Sequence, residues 1–219
     1  MLMALVLPAL TMATISTALV GLQNRRELIE ERANQVWEQL ALDFDLTFTH
    51  GYLLEDRTVE REVVGSVGDL SVHVEALSDV PGHGRMTRAW VSLGDCGLPD
   101  MELHANQPLL IQPRNPDMHR IITGDADFDR RFELRAKDDI AACQALTARA
   151  RLDLLKLGQL APTLRLHDNV LEWTEDGEVN DLERLEHILA GIRDTAMALR
   201  DGAHNPLWAQ ENDEDDPWT

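Results

Sequence analysis

Asp125-x-Asp127-x-Asp129 begins like a calcium loop, in which alternate carboxylates wrap a hard cation. The remainder of that pattern is missing. Arg130 occupies the position of the sharp-turn glycine, and Ala136 that of the bidentate glutamate. Arg130 and Arg131 also offer the three carboxylates partners of their own. The residues therefore favour a structural reading. Gly124 and Asp125 make a tight turn, and Asp127 and Asp129 cap, pair or face solvent. Phe132 and Leu134 alternate with Glu133 and Arg135, so the turn is expected to feed a half-buried strand.

A second constellation lies on strands that the first half spells out by alternation. Leu46 and Phe48 alternate with polar residues, and Arg61–Val67 runs into the turn pair Gly68-Asp69. In Leu70–Leu77, Leu70, Val72, Val74 and Ala76 share one side while Ser71, His73 and Glu75 share the other. Pro81-Gly82-His83-Gly84 breaks the chain before Ala89, Val91 and Leu93, which lie opposite Arg88, Trp90 and Ser92. Met101–Ala105 is a short strand with Glu102 and His104 on its polar side. These features predict an antiparallel meander with one wet face. His73, Glu75, Arg88, Trp90, Glu102 and His104 converge there if the strands are neighbours. Histidine and glutamate are zinc or iron ligands by type, which makes His73 and His104 metal candidates beside Asp125, Asp127 and Asp129. Their spacing gives no register, and solvated polar residues on an open sheet are the plainer reading.

HExxH, Walker A, GxGxxG and GxSxG signatures are absent, so the chain names no reaction and points to no cofactor. The net charge of -19 repels nucleic-acid phosphates and anionic headgroups, and nucleic acid is excluded as a general partner. Cys96 and Cys143 form no CxxC, and two cysteines make a disulfide framework a poor explanation, which suits a reducing compartment.

Met1–Leu22 carries no charged side chain and is long enough to cross a bilayer as a helix. A cleaved signal peptide lacks support, because there is no basic start and no convincing cleavage site. A buried core helix is the other alternative. An uncleaved anchor is favoured, and Arg25 and Arg26 then hold the rest of the chain on the cytoplasmic side. Ile29, Ala33, Val36, Trp37, Leu40, Ala41 and Phe44 form a helical stripe expected to pack on the sheet rather than in a coiled coil.

Pro108, Pro113 and Pro116 make 106–119 an irregular connection where the chain is open to subdivision. Beyond Phe132, a helix from Asp138 or Asp139 to about Leu157 is expected, then a hairpin about His167-Asp168-Asn169. Asn180 is the expected cap of a last helix ending at Asp201-Gly202. The order strand, helix, hairpin, helix suggests a split βαβ unit whose missing strand comes from the first half. Residues 206–219 form an acidic tail expected to be disordered. Its sharper reading is a recruitment peptide, with Asp215 and Asp216 meeting a basic patch and Trp218 filling a pocket. It resembles the acidic tips of bacterial single-stranded-DNA-binding proteins but departs from them in ending at Thr219.

Thr123-Gly124-Asp125 followed by Phe128-Asp129-Arg130-Arg131-Phe132 resembles uncharacterised bacterial membrane-anchored proteins of unknown function. The resemblance implies an anchored domain and carries over no activity and no catalytic residue. The expectation is an α+β protein: a transmembrane anchor over 1–22, one domain over 23–205 and the tail. It would sit in a bacterial inner membrane facing the cytoplasm, as a non-catalytic interaction or assembly module. Protein partners would bind through the tail or the open sheet face. The alternative is a metal-dependent enzyme using Asp125, Asp127 and Asp129.

Overall fold

The computed structural model describes residues 3–54, 57–106 and 115–203, with side chains from residue 23 onward. Helix α1 runs unbroken over Met3–Asp43. Ala33, Trp37, Leu40 and Ala41 recur at helical spacing on it and are buried, whereas Leu28 and Ile29 are exposed, so only the later part of the expected stripe packs. Asp45 takes a positive φ of 55° and ends the helix, with the Leu46 N–H on the Ala41 carbonyl at 2.8 Å.

Nine strands come after it: β1 (Thr47–Leu53), β2 (Thr58–Val67), β3 (Leu70–Val80), β4 (Gly84–Ser92), β5 (Met101–Ala105), β6 (His119–Ile121), β7 (Phe132–Ala136), β8 (Arg165–His167) and β9 (Val170–Asp176). They form one sheet in the order β1-β2-β3-β4-β9-β8-β5-β7-β6, every neighbouring pair antiparallel. The first four make a meander as expected, but Met101–Ala105, expected to continue it, does not pair with β4 and lies between β8 and β7. β5 pairs with both β7 and β8, so the first half does supply the central strand of the split unit.

The remaining helices are α2 (Ala126–Arg131), α3 (Asp139–Ala145), α4 (Ala148–Leu160) and α5 (Leu182–Ala203). Leu185, Ile188, Leu189, Ile192, Ala196 and Leu199 repeat along α5 and are buried in a core shared with Trp37, Val72, Val91, Leu103, Leu134 and Trp173. A single core thus spans both halves of the sheet. A Cβ on Gly191 would lie 2.9 Å from Leu157 Cδ1, and this closeness of α4 to α5 is what the glycine permits. Arg61, 3% exposed, is clasped by Glu30 of α1, by Glu178 and by Asn34 Oδ1 at 2.7 Å. It fastens α1 to β2 and to the approach to α5.

Several elements differ from expectation, each for a local reason. The acidic turn is a short helix, because Asp125 caps it, Asp127 and Asp129 occupy its first turn and Arg130 and Arg131 its last. The single helix expected to reach Leu157 is broken, because the Thr147 hydroxyl accepts the Ala150 N–H at 3.2 Å and starts α4 afresh. Asp181, not Asn180, serves the start of α5, accepting the Arg184 N–H at 3.2 Å. Asn180 instead accepts the Trp37 indole N–H at 3.2 Å. Helix α5 continues to Ala203 because Gly202 and Ala203 are buried, Gly202 against the Ala145 carbonyl. Among the residues whose side chains are described, no helix is long and apolar enough to cross a membrane. The anchor expected over Met1–Leu22 lies outside them, as do the connection at 107–114 and the tail from residue 204.

Candidate functional site

Alternation along antiparallel strands keeps every second side chain on the face away from the helices. Register then lines those residues up across the sheet. His73 stands opposite Trp90, Trp90 opposite Glu172, Glu172 opposite Arg165, Arg165 opposite His104 and His104 opposite Glu133. A neighbouring row runs Glu62, Glu75, Arg88, Thr174. The wet face is therefore a lateral ladder of imidazoles, carboxylates and guanidiniums.

Its β2–β3 end brings Glu62, His73 and Glu75 together, with one ligand atom from each within 4.8 Å of the others. Among the described residues this is the group of three histidine, cysteine or acidic side chains arranged to hold a metal ion. His73 Nε2 is hydrogen-bonded to Glu62 Oε1, and the Tyr52 hydroxyl donates to the same oxygen at 2.9 Å. The His73 ring rests on Trp90 with centroids 3.9 Å apart, and the Arg88 guanidinium lies 4.4 Å from the Trp90 centroid. Glu75 is only 2% exposed. Its Oε1 has no hydrogen bond, and Arg88 Nη1 approaches no closer than 3.6 Å. Burial pushes the Glu75 carboxyl above the usual carboxylate range, against the nearby charges of Arg88, His73 and Arg57.

Glu172 is the hub of the centre. It is 1% exposed and accepts from Arg88, from Arg165 Nε at 2.6 Å and, on Oε2, pairs with His167 Nε2 at 3.0 Å. Burial alone would raise its pKa. The His167 hydrogen bond and the Arg88 and Arg165 charges outweigh that and bring it to about 2. The same hydrogen bond raises His167 above its ordinary value.

At the far end His104 Nε2 lies 3.6 Å from Glu102 Oε2, an ion-pair distance. Both ring nitrogens of His104 are buried without a hydrogen bond, and burial pushes the imidazole below its ordinary value. Glu133 and Arg135 pair at 3.2 Å beside it.

The wet face thus joins His73, Glu75, Arg88 and Trp90 and separately joins Glu102 to His104. Strands β9 and β8 stand between the two groups, so His73 and His104 share no site. Glu62, Tyr52, Glu172, Arg165 and His167 were not among the expected site residues. Glu62 was within reach: a two-residue turn at Gly68-Asp69 pairs Val67 with Leu70 and thereby sets Glu62 opposite Glu75.

The aspartates of the acidic turn do not converge on a common ligand position. Asp125 Oδ1 accepts the Asp127 and Phe128 N–H groups, each at 3.2 Å. Asp129 accepts from the Thr123 N–H at 3.0 Å, the Thr123 hydroxyl at 2.9 Å and the Gly124 N–H at 3.1 Å. Asp127 is exposed and pairs with Arg130 at 3.2 Å. Asp215, Asp216 and Trp218 lie outside the described residues.

No family model and no curated protein matches this chain. Among solved structures, it is similar in fold to the mycobacterial trehalose monomycolate transport factor A, with a TM-score of 0.55 and 13% identity over 77% of this chain and 94% of that one. At that identity the likeness is one of fold.

Proposed function

We propose that this protein is a membrane-anchored, non-catalytic interaction or assembly module on the cytoplasmic side of a bacterial inner membrane. The observation that carries this reading is the continuity of α1. The helix that begins in the apolar run at Met3 is the one whose Trp37 and Leu40 are fully buried in the core. With no linker between them, an inserted N-terminal segment would hold the sheet at a set spacing. At 1.5 Å per residue, the stretch from Leu22 to Ala33 amounts to roughly 16 Å. The broad polar face and the exposed edge strand β1 would then stand free for a protein partner.

Fractionation tests the anchor. The full chain should sediment with membranes and resist carbonate extraction, and removal of residues 1–22 should release it. Release of the full chain by carbonate would overturn the reading. Pulldown from solubilised membranes tests the module. Partners should be retained by the full chain and lost on deleting Glu211–Thr219 or reversing charges on the open face, and a chain that retains none speaks against assembly.

A further inference from the structure

We propose that Glu62, His73 and Glu75 form a binding site for one divalent first-row transition-metal ion, with zinc the best fit. This goes beyond the role as an interaction module and does not depend on it. Two carboxylate oxygens and one imidazole nitrogen lie within 4.8 Å of one another, so a small rearrangement, with Glu62 and His73 parting and Glu75 drawing in, sets all three about a cation. One nitrogen with two oxygens suits zinc, iron or manganese better than calcium or magnesium, which take oxygen alone. Among these, such a donor set binds zinc most tightly.

The second observation is Glu75 itself. A carboxylate 2% exposed, with an oxygen that accepts no hydrogen bond, sits directly opposite a second carboxylate on the neighbouring strand. Facing like charges on paired strands are unfavourable, and a buried unsatisfied acceptor adds to the cost. A dication between them removes both penalties. Arg88 reaches Glu75 only at ion-pair distance, 3.6 Å from its Nη1, and donates it no hydrogen bond, because its Nε is given to Glu172 and its guanidinium lies over Trp90. The surroundings also hold the ligands in position. Trp90 packs on the His73 ring, and the Tyr52 hydroxyl orients Glu62 from outside the triad, as the hydrogen-bond partners behind metal ligands do. On binding, the ion would replace the hydrogen bond between His73 Nε2 and Glu62 Oε1, with the neutral ring carrying its one proton on Nδ1.

The test uses the full chain in detergent, stripped with a chelator and titrated with Co(II) and Zn(II). The unaltered protein should bind one equivalent, with visible Co(II) absorption that Zn(II) displaces. His73→Gln and Glu75→Gln should each weaken binding by roughly tenfold or more, and Tyr52→Phe by less. Glu102→Gln and Asp127→Asn should change nothing. X-ray absorption of the unaltered zinc-loaded protein should show nitrogen and oxygen ligands at about 2.0–2.2 Å, including one imidazole. The proposal fails if no equivalent binds, if the affinity survives His73→Gln and Glu75→Gln, or if the ligand shell lacks imidazole.

Discussion

Glu62 and Glu75 face each other across β2 and β3, and only Glu62 is supplied with hydrogen bonds, from Tyr52 and His73. Glu75 is left buried with no hydrogen bond to its Oε1. In metal-free protein this pair opposes folding, so removing one charge should help. Glu75→Gln in chelator is expected to raise the denaturant midpoint, by a few tenths to about 1 kcal/mol of stability. A lowered midpoint would mean that Arg88, at 3.6 Å, already compensates the charge.

Glu172 predicts the opposite behaviour at acid pH. Its pKa falls from the ordinary 4.5 to about 2 on folding, so the unfolded chain binds the proton first as pH drops. The associated stability is complete above pH 4.5 and is lost as pH falls towards about 2. It amounts to something on the order of 3 kcal/mol. Glu172→Gln should lower stability at neutral pH and flatten the acid limb of the stability curve. Denaturant melts across the acid range would show this, and an unchanged limb would remove Glu172 from its place as hub.

His104 adds a shallower dependence. Its imidazole is pushed below the ordinary 6.5 by burial, so the unfolded chain protonates before the folded one. Stability tied to this residue is present above pH 6.5 and declines as pH falls below it. His104→Gln should remove that part of the decline, measurable as a smaller loss of midpoint between neutral and mildly acid pH.

The acidic turn should answer to its hydrogen bonds rather than to cations. Asp125→Ala deletes a helix cap and is expected to cost about 1 kcal/mol. Asp127→Ala breaks only an exposed pair and should be close to neutral. Calorimetry with calcium should show no difference between the unaltered chain and Asp127→Asn. Equal melting temperatures for Asp125→Ala and Asp127→Ala would contradict this account of the turn.

These features were legible in the sequence to different degrees. Local signals carried far. Alternation placed β3, β4 and β5, and the pair at Asp168-Asn169, both with positive φ, closed the β8–β9 hairpin as expected. The Gly68-Asp69 turn also carries the register that sets Glu62 opposite Glu75. What lay beyond reach was pairing between distant segments. Nothing local to Met101–Ala105 says that it inserts between β7 and β8, and with that placement His104 was carried away from His73. Helix boundaries failed where a polar side chain had a competing partner. Thr147 capped α4 within an apparently continuous helix, and Asn180 gave its oxygen to Trp37 while Asp181 took its place.

Under the proposed function, α1 anchors this domain and keeps it on the cytoplasmic side, and protease added to intact bacterial spheroplasts reads that orientation. Residues 23–219 should remain uncut until the cells are lysed, and then be digested. Digestion in intact spheroplasts would place the sheet on the opposite side of the membrane and contradict the account.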